Sequence, residues 1–212
     1  METIFKRYPI QITLDDGTRA TLRLLKREDK IPLVQFFQRI PEEDRYYLKD
    51  NVTSPEVVRQ WTEHMNLDFT IPILAVVDDR IIADATLHRD WAPARRHIGE
   101  VRVTVDPELR GRGLAAKMIK ELIDVGEALK LTKLVFELVK RREHAAIQAA
   151  RRAGFVESAV LRDRIRDTSG NLQDLVIMEL SLESRVHVLE LLAETLVEQQ
   201  EAPFLTSHNV MS

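Results

Sequence analysis

Four residues, Arg110-Gly111-Arg112-Gly113, stand where an alternating stretch gives way to a helical one, and their types suit the holding of a phosphate. Glycines let an anion approach the backbone closely. Arginines add charge and forked donors. The first N–H groups of the helix that follows have no internal partners and carry the positive end of its dipole, so they form a ready anion site. Together these features suit a pyrophosphate. The Gly-x-x-x-x-Gly-Lys-Ser/Thr loop of nucleotide triphosphate sites is missing, and so is the three-glycine dinucleotide pattern.

Three nearby residues are able to move protons. Glu100 begins the alternating stretch, and His88 and His97 flank the loop before it. An imidazole titrates near neutrality and so suits proton transfer. Each has an ordinary alternative, since a glutamate at a strand end is commonly ion-paired and Arg102 shares its face. A lone histidine is more often structural.

The elements that must position these groups are legible in order. Val101, Val103 and Val105 alternate with Glu100, Arg102 and Thr104, the period of a strand, and Asp106-Pro107 ends it. From Leu114 the apolar positions Leu114, Met118, Leu122, Val125 and Leu129 fall at helical spacing. Upstream, 10–14 and 20–24 flank an Asp-Gly turn and predict a hairpin. A helix carries Leu33, Phe36, Phe37 and Ile40, a short helical segment follows over 42–48, and Ser54-Pro55 opens a helix to about Asn66. A second hairpin spans 71–77 and 81–87. Downstream come a strand over 133–139, a helix over 143–153 closed by Gly154, and strands over 156–165 and 175–180.

Composition narrows the classes. The chain has 212 residues, 44% hydrophobic and 31% charged, as expected of one well-filled soluble core. No stretch approaches the roughly 20 apolar residues of a membrane helix, and no apolar signal core is seen, which predicts a cytoplasmic protein. The absence of cysteine excludes disulfides, thiolate zinc sites and an acyl-cysteine intermediate. The six histidines lack ligand spacing on one element, so no metal is expected. A net charge of −3 argues against broad nucleic-acid binding. Basic residues nevertheless cluster in the middle segment, from Arg89 to Arg152.

The run through Arg110-Gly111-Arg112-Gly113-Leu114-Ala115 resembles motif A of the GCN5-related N-acetyltransferases (GNAT), whose loop reads Gln/Arg-x-x-Gly-x-Gly/Ala. The order of strands and helices over 10–180 is similar to that fold as well. A second likeness, to the acetyltransferase domains attached to bacterial acyl-CoA synthetases, rests on Asp16-Gly17-Thr18, Glu28-Asp29, Phe36-Phe37 and Arg45-Tyr46.

The resemblance implies an α/β (α+β) fold, with a mixed, mostly antiparallel twisted sheet flanked by helices in a single domain over 1–181. It implies acetyl-CoA as cosubstrate, with its pyrophosphate on Arg110, Gly111, Arg112, Gly113, Leu114 and Ala115 and its pantetheine arm along Val101, Val103 and Val105. The acceptor is a primary amine, either a small molecule or a protein lysine, and the alternative is an acyl-CoA-binding module that has lost its chemistry. An amine with a pKa near ~10.4 must lose a proton before attack, at a cost of about 4 kcal/mol near physiological pH. Glu100 is the first candidate for that base, with His88 and His97 behind it. Trp61 and Trp91 are candidates for the acceptor wall, with core packing as the commoner use of tryptophan.

Many relatives read Asn-x-x-Ala-x-x-x-Tyr-x-x-x-Gly-Phe on the later helix, and their tyrosine protonates the departing thiolate. Here Ala146, Gly154 and Phe155 match, but Glu143 replaces the asparagine and Ala150 the tyrosine. Glu143 is therefore a candidate for cofactor contact. The proton for sulfur is left to water, His144, Tyr46 or Tyr47, or is dispensable. Beyond this domain, 182–200 reads as an amphipathic helix, either packed on the domain or forming a homodimer, and 201–212 as a mobile tail.

Overall fold

The computed structural model describes residues 5–183. The C-terminal amphipathic helix, the tail and the homodimer expectation lie outside those residues, apart from the start of the helix.

The first hairpin pairs β1 (Ile10–Thr13) with β2 (Arg19–Leu24) in antiparallel register. Three helices follow: α1 (Lys30–Arg39), the short α2 (Glu42–Arg45) and α3 (Pro55–Glu63). The second hairpin is β3 (Thr70–Val77) and β4 (Arg80–Arg89). Then come β5 (Ile98–Val105), α4 (Leu114–Ala128), β6 (Lys133–Val139), α5 (His144–Arg152), β7 (Val156–Arg166) and β8 (Leu172–Ser181). The helix predicted to reach Asn66 stops at Glu63, and β8 begins before the expected Leu175, because Leu172 pairs with Arg166.

These strands form one sheet in the order β1-β2-β3-β4-β5-β6-β8-β7. All neighbours are antiparallel except β5 and β6, which the intervening α4 crossover makes parallel. β3 is buried continuously from Ile71 to Val76, as expected of a strand covered on both faces.

Successive residues of a strand point to opposite faces, and the core divides accordingly. Ile73 and Ala75 of β3 join a cluster with Met118, Leu122 and Val125 of α4 and Ile147 of α5. Leu74 and Val76 join a second cluster with Phe36 and Phe37 of α1 and Val58 of α3. The helically spaced apolar residues of α4 are those that disappear into the first cluster. Burying each such Leu or Met side chain contributes about 1.5–3 kcal/mol.

Candidate active site

The parallel pairing of β5 with β6 is brief. It covers only Ile98, Gly99 and Glu100, opposite Lys133, Leu134 and Val135. Beyond Glu100, β5 stays with β4 as far as Val105, and β6 stays with β8 as far as Val139. Each strand keeps its outer neighbour, so a gap opens between them. A cleft of about 640 Å³ occupies this gap, lined by Val103, Thr104 and Val105 on one side and Phe136 on the other. Ala115 and Ala116 of α4, with Ala145, Ala146 and Ala149 of α5, give it width through their small side chains.

At one end of the cleft stands the glycine–arginine loop. Gly111 and Gly113 both hold positive φ, 75° and 76°, and Gly113 is the left-handed residue from which α4 starts. A side chain at Gly113 would collide with the Asp15 carboxylate. Arg110 lines the cleft and donates from Nη2 to Asp44 at 2.9 Å. Arg142, before α5, lines it from the other wall and donates to Asp44 from Nη2 at 2.6 Å and Nε at 2.9 Å. Burial alone would raise the Asp44 pKa, but the two guanidiniums outweigh it and hold the carboxyl below its ordinary range. Asp106 ends β5 behind this loop. It is almost fully buried and accepts from Arg39 at 2.7 Å, Arg80 at 2.9 Å and the Glu108 amide at 3.1 Å.

At the other end, where the strands separate, one face of β4 and β5 is polar. Asp84 lies opposite Thr104, Thr86 opposite Arg102 and His88 opposite Glu100. Glu100 accepts from Arg102 at 2.8 Å and pairs with Lys49 at 2.7 Å, and Lys49 also reaches Glu137 at 2.9 Å. Burial would raise the Glu100 pKa, but these two cations outweigh it and keep the group ionised. Burial, aided by the charge of Arg102, lowers the His88 pKa to about 4, so its imidazole is neutral at physiological pH. Burial pushes Asp84 up to about 7.

Comparison with known proteins places this fold in a family. The model of the acetyltransferase (GNAT) family matches residues 34–155. This chain belongs to the GNAT acetyltransferase family. No curated protein sequence matches it closely enough to count as a relative. Among solved structures, a GNAT-family acetyltransferase from Streptococcus pneumoniae superposes with a TM-score of 0.67 at 19% identity, covering 76% of this chain and 99% of that one. The GNAT domain of S. lividans PAT gives 0.67 at 20% identity, covering 82% and 97%. The yncA protein of Salmonella typhimurium, solved with its cofactor acetyl-CoA, gives 0.65 at 21% identity, covering 77% and 94%.

In this acetyltransferase the residues singled out in the sequence separate into those that line the cleft and those that do not. Val103, Val105, Arg110, Gly111, Gly113, Leu114, Ala115 and Glu143 line it. Val101, on the same face as Val103 and Val105, is fully buried in the first core cluster instead, whereas those two are only partly buried against it. Arg112 points away from the cleft, held by Asp16 at 2.6 Å and the Glu108 carbonyl at 2.9 Å. Glu100 and His88 are brought together across β4 and β5, whereas His97 is exposed before β5 and its carbonyl accepts from the Thr132 amide. Trp61 packs edge-on against Phe37 in the second cluster, and Trp91 stacks on Phe69 while remaining 66% exposed.

Ala150 is fully buried, away from the cleft lining. Among the described residues the tyrosine that lines the cleft is Tyr47, after α2, and burial raises its pKa. Tyr46 is half exposed and stands edge-on to it. Glu143 accepts the Val139 amide at 2.6 Å, and burial raises its pKa as well. Lys49 and Asp84 were not singled out from the sequence, and Arg142 only as one of the clustered basic residues of the middle segment, readable as a solvated face or as a rim for CoA phosphates. Their relevance lies in contacts or register across the fold that no local spacing encodes.

Proposed function

We propose that this acetyltransferase moves the acetyl group of acetyl-CoA to a primary amine by direct attack in a ternary complex. The observation that carries the reading is the seam between β5 and β6, with an anion-suited loop lining the cleft that opens beyond Glu100 and the ionised carboxylate of Glu100 at the point where the strands part. The acetyl-CoA found with the Salmonella typhimurium neighbour supports the same donor here.

In this reading the amides at the start of α4 and the guanidinium of Arg110 hold the pyrophosphate. The pantetheine arm lies along Val103 to Val105. A backbone N–H of β5 around Val101 to Val103 polarises the thioester carbonyl as an oxyanion donor. Glu100 receives the proton of the acceptor amine, directly or through water. Tyr47 gives a proton to the departing sulfur, in place of the tyrosine that Ala150 replaces. The acceptor is a small amine or a lysine of a protein.

Calorimetric titration with acetyl-CoA tests the donor site. The wild type is expected to bind in the micromolar range, with Arg110→Ala weakening binding far more than Arg112→Ala. Thiol release across a panel of primary amines then tests transfer. Tight binding with no release would replace this reading with a CoA-binding module that performs no chemistry.

A further inference from the structure

Lys49 does not itself line the cleft but stands where β5 and β6 part. It follows Tyr47 and Leu48, both of which line the cleft. Its Nζ lies 2.7 Å from Glu100 Oε1 and 2.9 Å from Glu137 Oε2. Glu100 is the last residue of β5 that pairs with β6, and its partner is Val135. Glu137 is on the same face as Val135, by strand alternation. The Lys49 ammonium therefore bridges the two strands at the point where they part, beside the carboxylate assigned as the base. An acceptor amine would have to come to this same carboxylate.

A plain ion pair is the ordinary use of such a contact. With the Lys49 side chain 43% exposed, the pair adds no more than about 1 kcal/mol to stability. The site is chemically more specific than that. It holds a primary amine, an ionised carboxylate able to take its proton, and an adjoining cleft for the acyl donor.

We propose that Lys49 is itself an acetyl acceptor, modified within its own chain when acetyl-CoA is bound and no other amine has displaced it. The proposal rests on the acetyl-transfer reading above. Glu100 takes one proton from the ammonium, and the freed lone pair of Nζ forms a bond to the thioester carbon. The carbon–sulfur bond then breaks with its electron pair passing to sulfur. The second proton leaves nitrogen and reaches sulfur through the solvent or Tyr47, so the products are an amide, a CoA thiol and one proton. Holding the amine beside the donor makes the attack intramolecular, which removes the entropic cost of bringing a second molecule. Acetylation also removes the cation between Glu100 and Glu137.

The test incubates the full chain with acetyl-CoA and no added amine, followed by intact mass and peptide mapping. One acetyl group per chain is expected, at Lys49, at a rate per chain that does not change with protein concentration. Glu100→Gln is expected to slow that modification roughly 100-fold, the contribution of one general base, while calorimetry shows acetyl-CoA still bound. Lys49→Arg, which preserves the cation, is expected to abolish it. A rate proportional to protein concentration, or Lys49 modified no faster than the other lysines by a protein that binds acetyl-CoA, would overturn the proposal and leave the acetyl-transfer reading standing. Failure to bind acetyl-CoA would overturn both.

Discussion

Arg142 closes on the carboxylate of Asp44, with Nη2 and Nε at 2.6 and 2.9 Å from the same oxygen, although 98 residues separate the two in the chain. The second oxygen serves Arg110. Two arginines from opposite walls of the cleft thus share one acid from α2, and an anionic ligand must compete with that acid. Asp44→Asn is expected to tighten CoA binding roughly three- to tenfold at low salt, since partly exposed ion pairs are worth about 1 kcal/mol or less each and are screened by salt. Calorimetry at low and high ionic strength checks this. Weaker binding by the variant would mean that Asp44 holds the arginines in place for the ligand.

The two glycines of the loop are expected to respond differently to alanine. Both have positive φ, which costs an alanine about 1–2 kcal/mol. A Cβ at Gly111 meets open space, whereas one at Gly113 runs into Asp15. Gly111→Ala should lower thermal stability slightly and leave the fold intact. Gly113→Ala should displace the Asp15 hairpin and weaken CoA binding more strongly, and equal effects would show that the Asp15 contact is unimportant.

Asp106 is the buried anchor of the loop. Asp106→Ala removes the acceptor of Arg39 and Arg80 and the cap of the turn at Pro107–Leu109. Removing one partner of such an anchored pair is expected to cost about 3 kcal/mol, measurable by denaturant unfolding, and to reduce CoA affinity as well. A loss below about 1 kcal/mol would place this cluster among ordinary surface pairs.

Asp84 makes stability depend on pH. Its pKa is about 7 in the folded chain against 3.8 for the unperturbed group. Between these values the folded state holds the extra proton, so stability falls as pH rises from about 4 to about 7 and then levels off. The cost above pH 7 reaches up to about 4 kcal/mol, since a tenfold change in proton affinity corresponds to about 1.4 kcal/mol. Asp84→Asn should therefore raise the melting temperature at pH 8 and make little difference near pH 4. A variant no more stable at pH 8 would show that Asp84 is well solvated or paired.

Glu100 and Tyr47 are expected to affect turnover without affecting binding. Glu100→Gln should lower transfer roughly 100-fold, and Tyr47→Phe about 10-fold or more. Because Arg102 and Lys49 hold the Glu100 pKa down against burial, its titration should not limit the rate between pH 6 and 8. The rate should instead rise with pH as the acceptor amine deprotonates. Steady-state kinetics across pH, with CoA affinity measured alongside, separates these outcomes.

Local order in this chain was open to reading from residues alone. The strand-to-helix passage from Val101 to Met118 declares itself through two periodicities and a glycine corner, features that depend on neighbours within one turn. Both hairpins, the run of helices between them and the cleft-lining loop follow from the same kind of signal, and so does the presence of proton-moving types at Glu100 and His88. Which arginine faces the cleft was decided elsewhere. Arg110 and Arg112 are alike in type and nearly adjacent, yet Asp44 turns one toward the cleft and Asp16 draws the other away. Likewise nothing near Lys49 in the chain announces Glu100 and Glu137, and Asp84 reads as an ordinary polar position until its strand is buried in the sheet. Sequence determined the elements, because helix and strand periods are set by short-range geometry. Tertiary structure alone decided the charge pairing and burial of the site, because these depend on which distant side chains the sheet brings within a few ångströms.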